Sequence, residues 1–175
     1  MEKDKSIFLS VLESHKGIIY KVAGSYTTTS EDREDLIQEI IFQLWRSFEK
    51  YNDQYKWSTW IYRIALNVSI SFYRKESRKK NYSRPLTESI IEAVPDEILA
   101  DQTGNIIMLR KFISEMKELD RALLILYLDE KSHKEMAEIL GLSETNVATK
   151  ISRIKERLKQ RFDSIRIPGS EKQVG

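Results

Sequence analysis

The chain has 175 residues, of which 41% are hydrophobic and 32% are charged, with 29 basic and 27 acidic side chains, two histidines and no cysteine. This composition is typical of a folded protein with room for one ordinary domain or two small ones. The lack of cysteine excludes disulfide bridges and thiolate metal sites, and no stretch reaches the roughly 18 apolar residues of a membrane-spanning helix.

The net charge of +2 conceals a strong segregation of charge along the chain. Residues 51–84 carry 8 basic and 2 acidic side chains, whereas residues 85–105 carry no basic and 5 acidic ones. Residues 130–166 are basic again, with 9 against 6. Two basic segments that flank an acidic connector indicate two separate contacts with one long polyanion.

Three helices are predicted before residue 81 from apolar residues at helical spacing. The predicted buried stripe of the second helix comprises Leu36, Ile37, Ile40, Ile41, Leu44, Trp45 and Phe48. A loop is predicted at 24–29, and Ser30 or Asp32 is expected to cap the second helix. A polar and aromatic loop at 50–56 precedes the third helix. The predicted buried stripe of that helix comprises Trp57, Trp60, Ile61, Ile64, Ala65, Val68 and Phe72.

The middle and the end of the chain contain the breaks in the helical pattern. All three prolines fall there, at Pro85, Pro95 and Pro168, and proline cannot donate to a helix ladder. Residues 81–105 are therefore predicted to be a flexible acidic linker, and residues 167–175 a short tail.

The second helical module begins near residue 106 and carries the signals of a helix-turn-helix. Asp120 is a candidate cap for one helix, and Ser132 with Glu135 forms a capping box for the next. Gly141 is placed to end that helix, and Ser143 to cap a longer one. A short helix, a glycine turn and a capped long helix are typical of DNA-binding helix-turn-helix units.

The long helix after Ser143 sorts into a buried face and a polar face at 100° per residue. Its outward face suits base recognition in the major groove, because Asn pairs with adenine, Arg or Lys with guanine, and Thr with the thymine methyl group. The candidate DNA-binding residues of this module are Ser143, Thr145, Asn146, Thr149, Lys150, Arg153 and Arg157.

Two motifs in the first module resemble a known protein family. They are residues 32–45, DREDLIQEIIFQLW, and residues 57–67, WSTWIYRIALN. They are similar to conserved region 2 of bacterial sigma factors in the extracytoplasmic-function (ECF) group of the sigma-70 family. Residues 106–162 resemble region 4 of the same group, so the resemblance covers nearly the whole chain in the family's order.

The resemblance implies an all-α fold of two small helical domains joined by a flexible acidic linker. Residues 1–80 would form the region 2 helical bundle and residues 106–166 the region 4 helix-turn-helix. Residues 81–105 would be the linker, which in the family threads through the basic active-site cleft and RNA-exit channel of the polymerase. Residues 167–175 would be a tail.

The resemblance also implies that the chain is a promoter-specificity subunit that binds core RNA polymerase, recognises and melts promoter DNA, and starts transcription. In the family the second helix of region 2 docks on the clamp helices of the largest polymerase subunit, and region 4 meets the polymerase flap. On this chain the docking residues would be Asp35, Gln38, Glu39 and Gln43.

The loop and third helix of region 2 bind the −10 promoter element in the family, and the loop captures a flipped base. Aromatic side chains offer stacking surfaces to unstacked bases, and basic side chains hold the backbone. Trp57 fits either a base contact or the core. The candidate −10 residues are Tyr51, Asn52, Asp53, Gln54, Tyr55, Lys56, Trp57, Arg63, Asn67, Arg74 and Lys75, and the region 4 residues named above would bind the −35 element.

The family's other properties imply an anti-sigma factor as a further partner and no small-molecule substrate. They also imply a cytoplasmic protein, associated with the nucleoid when bound to polymerase and held at the inner membrane where the anti-sigma factor is membrane-bound. No catalytic residue, metal or cofactor is expected.

Two other classes of function are open at this point. A helix-turn-helix repressor or activator that works without polymerase would bind DNA tightly by itself, but the sequence offers no clear dimerisation heptad. An enzyme would need a catalytic or metal site, and the polar cluster of Glu34, Asp35, Gln38 and Glu39 could imitate a carboxylate metal site. His15 and His133 do not have ligand spacing, and no phosphate loop or nucleophile–base pair is visible.

Overall fold

The computed structural model describes residues 2–80, 109 and 111–166, with side chains described for 5–79, 109 and 111–164. Within these ranges all regular structure is helical, as predicted. The helices belong to two compact units divided at residues 100 and 101, with Glu138–Gly141 assigned to the first unit. The predicted linker and tail lie outside the described residues, and the limits of the domains stay a prediction.

The first unit is a three-helix bundle. It contains α1 (Glu2–Tyr26), α2 (Ser30–Ser47), a short 3₁₀ turn (Phe48–Lys50) and α3 (Trp57–Lys80). Each of the three helices packs against the other two. The bundle core is formed by fully buried aliphatic side chains from all three helices, which include Ile19, Val22, Leu36, Ile40, Leu44, Ile61 and Leu66.

The connection between α1 and α2 is shorter than predicted. Residues 24–26 continue α1 rather than forming a loop, so the prediction there was wrong. Tyr26 is buried and its ring meets that of Tyr73 edge to face, with centroids 6.1 Å apart. This packing on α3 extends the helix by a turn that local sequence does not favour. The predicted caps of α2 were also wrong, because Thr29 is the cap and its Oγ accepts from the Asp32 amide at 3.1 Å.

The buried face of α3 is centred on different residues from those predicted. Ile61 and Ala65 are buried as expected, but so are Tyr62, Leu66 and Ser69. The indoles of Trp57 and Trp60 are only partly buried. Because α1 and α2 both pack along α3, the face that they cover is rotated away from the stripe that apolar spacing alone indicates.

The later helices are α4 (Glu118–Leu128), α5 (His133–Leu140) and α6 (Glu144–Arg166), preceded by a helical turn at 111–114. The second unit contains all of them except the end of α5 from Glu138. Its core combines aliphatic, aromatic and thioether side chains, which include Phe112, Met116, Leu123, Leu126, Met136, Val147, Ile151 and Ile154. The predicted helix-turn-helix is therefore present as α5, a turn and α6.

Three of the predicted caps at the ends of α5 and α6 are confirmed. Ser132 and Glu135 form the reciprocal capping box, since the Ser132 amide donates to the Glu135 carboxylate at 2.9 Å and the Glu135 amide donates to the Ser132 hydroxyl at 3.2 Å. Ser143 accepts from the Asn146 amide at 3.2 Å. Gly141 ends α5 with φ at +67°.

The start of α4 differs from the prediction. Asp120 does not cap the helix, which begins at Glu118 and has no side-chain cap. The nearby Arg121 is buried, and its guanidinium donates to the carbonyls of Ile113, Ser114 and Met116 at 2.9–3.3 Å. This side chain ties the segment before α4 to the helix.

Candidate nucleic-acid interface

The outward face of α2 carries the polar residues predicted to dock on a protein partner. Asp35, Gln38 and Glu39 are exposed, and Gln43 is partly exposed. The Gln43 amide donates to the Glu39 carboxylate at 2.7 Å. Residues three and four apart share one helix face, so the four side chains lie on one surface.

Two aromatic residues on this surface were missed by the sequence reasoning. Phe42 is 52% exposed and Trp45 is 44% exposed, although Trp45 was assigned to the buried stripe. The Arg46 guanidinium lies 5.9 Å from the centre of the Phe42 ring. Phe42 follows Gln38 by four residues, and that spacing could have placed it on the polar face. A large apolar centre with a polar rim is typical of a protein–protein interface; we call Asp35, Gln38, Glu39, Phe42, Gln43 and Trp45 the α2 surface.

The loop between the 3₁₀ turn and α3 is built on stacked aromatic rings. The Tyr51 ring is parallel to the Trp57 indole, with centroids 3.5 Å apart, and meets Trp60 edge to face at 5.4 Å. Phe48 stacks on Trp57 at 5.8 Å. The Tyr51 hydroxyl donates to the Tyr55 carbonyl at 2.6 Å, which closes the loop. The predicted base-stacking residues Tyr51 and Trp57 are thus in contact with each other.

The tip of the loop is polar and open. Asn52, Asp53, Gln54 and Lys56 are exposed, whereas Tyr55 is partly buried with the Arg63 guanidinium 4.9 Å from its ring centre. The loop therefore has an aromatic base and a hydrogen-bonding tip.

The surroundings of Tyr51 raise the pKa of its phenol. Partial burial raises its pKa above the ordinary value of 10.0, and the nearby Asp53 carboxylate raises the pKa further. Tyr51 is therefore neutral at physiological pH and holds its proton for the bond to Tyr55.

The polar side of α3 continues from the loop as a basic stripe. Asn67, Arg74 and Lys75 are exposed and Arg63 is partly exposed. Arg78 is exposed as well, and it follows Arg74 by four residues on the same face. Arg78 was not among the predicted contacts, although its spacing is a sufficient signal.

The outward face of α6 holds four of the seven predicted residues of the second unit. Thr145, Asn146, Thr149 and Arg153 are all exposed. The Thr149 hydroxyl donates to the Thr145 carbonyl at 3.0 Å. Ser143 is exposed, but its hydroxyl is used as the cap described above.

Lys150 and Arg157 lie on the flank of α6 that faces α4. The Lys150 amine is 3.8 Å from one oxygen of Asp120, and the Arg157 guanidinium is 3.6 Å from the other. The Arg157 guanidinium also lies 5.7 Å from the centre of the Phe112 ring. These two side chains are therefore not grouped with the outward-facing set.

The described part of the chain contains no group of three histidine or acidic side chains that could hold a metal ion. No helix within it is long and apolar enough to cross a membrane. An open groove of about 310 Å³ lies beside Arg157 and Arg161 in the second unit.

Comparison with known proteins identifies the two units. Residues 11–79 match the family model of sigma-70 region 2, and residues 106–158 match that of sigma-70 region 4. The chain is 25% identical over 173 residues to the ECF RNA polymerase sigma factor SigW of Bacillus subtilis, which covers 91% of this chain and 90% of the relative. It is 27% identical over 154 residues to SigM of the same organism, with coverage of 87% and 93%.

A solved structure has the same fold. The sigma factor RpoE of Bartonella quintana, in complex with the anti-sigma factor NepR, superposes with a TM-score of 0.70 at 20% identity, covering 93% of this chain and 98% of that one. Both regions of the family therefore occur here in order, on the two helical units described above. The chain belongs to the sigma-70 family, in its ECF group, and is a sigma factor that directs the initiation of transcription by RNA polymerase at promoter DNA.

Proposed function

We propose that the two units divide promoter recognition between them while both are held on core RNA polymerase. The first unit docks through the α2 surface and opens the −10 element with the loop and α3, and the second unit reads the −35 element with α6. The observation that carries this proposal is the exposure of one distinct contact surface on each of these elements.

The α2 surface suits a protein partner better than DNA. Its exposed aromatic rings, Phe42 and Trp45, lie among acidic and amide side chains, and the carboxylates of Asp35 and Glu39 would repel phosphates. A basic, hydrogen-bonding helix pair such as the clamp of the largest polymerase subunit would complement it. We propose the flap of the polymerase as the second docking point, through the second unit.

The loop and α3 suit single-stranded DNA. The exposed amides of Asn52 and Gln54 can bond to the edge of an unstacked base, and Asp53 can accept from an exocyclic amine. Arg74, Lys75 and Arg78 can hold the backbone of the strand. Tyr51 and Trp57 stack on each other, so we assign them to supporting the loop rather than to stacking on bases.

The outward face of α6 suits the major groove. Thr145, Asn146, Thr149 and Arg153 lie near the start of the helix that a helix-turn-helix inserts into the groove. Each specific base contact contributes about 1–3 kcal/mol to discrimination. A repressor or activator that works without polymerase is not favoured, because such a protein would not need region 2.

The remaining properties follow from this role. The chain acts as a non-catalytic subunit in the cytoplasm, without a cofactor or metal, and its residues 81–105 connect the two domains along the polymerase. The neighbour RpoE was solved with an anti-sigma factor; we propose that an anti-sigma factor also holds this chain inactive.

The proposal is tested by reconstitution. The purified chain is mixed with sigma-free core polymerase and a library of promoter fragments, and transcript starts are mapped. Transcripts that begin downstream of one shared pair of motifs are expected with the chain and not without it. If no complex with core polymerase forms, or if transcripts start at random, the proposed function is wrong.

A further inference from the structure

Apart from Lys155, whose amine lies 5.2 Å from the centre of the Tyr127 ring, the described basic side chains of α6 fall into two sets that differ in their charged partners. Lys150, Arg157 and Arg161 lie along the flank facing the preceding segment, and each meets an acid. The Arg161 guanidinium contacts the Glu115 carboxylate at 2.7 Å, and Asp120 is shared by the other two at 3.8 and 3.6 Å. Arg153 and Lys159, by contrast, pair with no acidic side chain in the described ranges.

Asp120 is placed to neutralise two cations at once. It lies in the first turn of α4, where its side chain is only 20% exposed, and its Oδ1 faces Lys150 while its Oδ2 faces Arg157. The separations exceed hydrogen-bonding distance, so the attraction is that of nearby charges. Seven residues, about two helix turns, separate the two cations, and a single carboxylate holds both against α4.

This pairing changes what α6 presents to DNA. A phosphate would have to compete with Asp120 for Lys150 and Arg157, whereas Arg153 is available without competition. Contacts with phosphates are independent of sequence, while contacts with base edges are not. Suppressing two phosphate contacts therefore makes binding weaker but more dependent on the bases read by the outward face.

We propose that Asp120 determines the promoter selectivity of the second unit by withholding Lys150 and Arg157 from the DNA backbone. The proposal rests on the proposed function, in which α6 binds the −35 element. In this role Asp120 is a positioning residue, since it acts through the two cations. We therefore expect that removing the carboxylate charge of Asp120 strengthens the binding of every DNA sequence and reduces the preference for the promoter.

The test compares Asp120→Asn with Glu156→Gln. Both remove one negative charge from the second unit, but the hydrogen-bond partner of Glu156 is the amide of Gln160 rather than a cation. Each full-length variant, bound to core polymerase, is titrated onto promoter duplex and onto the same duplex with a scrambled −35 element. The affinities are measured over a range of salt concentrations.

Asp120→Asn is expected to bind the scrambled duplex several-fold more tightly and to lower the ratio of promoter to scrambled affinity. The slope of log affinity against log salt should steepen by up to about 2, since each new phosphate contact adds about 0.9. Glu156→Gln should leave the slope unchanged. Equal slopes for the two variants, or weaker binding by Asp120→Asn, would overturn the proposal.

Two further measurements keep the result interpretable. The double variant Lys150→Gln, Arg157→Gln leaves Asp120 in place, and its affinity for promoter duplex is expected to change less than about twofold. A loss of tenfold or more would overturn the proposal. This result would count even if Asp120→Asn failed to fold. The salt slope of the free full-length chain on random-sequence duplex is independent of polymerase. If the wild-type complex does not prefer the promoter, the proposed function fails, while the slope difference still decides the role of Asp120.

Discussion

The indole of Trp57 lies flat against the phenol ring of Tyr51, with centroids 3.5 Å apart and planes inclined by 15°. The same phenol bonds to the Tyr55 carbonyl at the other end of the loop. The Tyr51 side chain thus supports the loop through ring stacking and closes it through a hydrogen bond. This loop presents Asn52, Asp53 and Gln54.

Graded substitution of Tyr51 is expected to separate these two contributions. Tyr51→Phe keeps the ring stacking and loses one hydrogen bond, worth about 1 kcal/mol, so promoter opening should fall by roughly fivefold. Tyr51→Ala loses both contributions and should reduce opening more than tenfold. The measurement is the rate of open-complex formation by the reconstituted polymerase. Wild-type rates for Tyr51→Ala would show that the loop does not depend on this support.

The raised pKa of Tyr51 predicts how the loop responds to alkali. Burial favours the neutral phenol in the folded chain, so this contribution to stability is fully present below pH 10.0 and is lost as pH rises through the raised folded pKa. The tyrosinate absorbance difference between wild type and Tyr51→Phe should titrate above the range of free tyrosine. A difference curve that coincides with free tyrosine would contradict the packing of this residue.

The α2 surface predicts an aromatic contribution to polymerase binding. Phe42→Ala should weaken binding to core polymerase at least tenfold, because a large apolar side chain at the centre of an interface often contributes about 2 kcal/mol or more. Tyr20→Ala is the matched control, since Tyr20 is 57% exposed on α1. Binding is measured by titration of labelled chain with core polymerase. Equal effects of the two substitutions would remove Phe42 from the interface.

Two positions with positive φ give opposite predictions for stability. Glu130 follows α4 with φ at 55°, and the Lys131 amide donates to the Leu126 carbonyl at 3.0 Å, as in a Schellman cap. A left-handed residue costs about 1 kcal/mol or more unless it is glycine. Glu130→Gly should therefore raise the free energy of unfolding by about 1 kcal/mol, and Gly141→Ala should lower it by a similar amount.

Urea unfolding followed by circular dichroism measures both changes. Glycine substitution of an exposed residue within a helix is the control. It should lower the free energy of unfolding, because glycine is unfavourable there. Lower stability for Glu130→Gly would mean that its side chain contributes more than the strain of its backbone.

Local interactions were predictable from sequence, and long-range ones were not. The capping box of Ser132 and Glu135 and the cap at Ser143 lie within a few residues of their partners, and both predictions are confirmed. The continuation of α1 to Tyr26 depends on Tyr73, which lies on another helix. Asp120 has the right chemistry for a cap, but its partners on α6 are defined only by tertiary packing.

The same distinction applies to the candidate sites. The family motifs identified the α2 helix, the loop and α6. Apolar spacing placed Trp45 in the core, where its indole does meet the Phe8 ring of α1 at 5.0 Å, but spacing could not show that 44% of the side chain stays exposed. The contact residues of the three surfaces stay predictions until binding is measured.

The chain is expected to open promoter DNA only together with RNA polymerase. Permanganate probing of unpaired thymines, on a promoter identified by reconstitution, measures this opening. Reactive thymines within the −10 element are predicted when core polymerase and the chain are both present, and not with either alone. Opening by core polymerase alone, or a bound complex in which the −10 element stays paired at permissive temperature, would rule out this role.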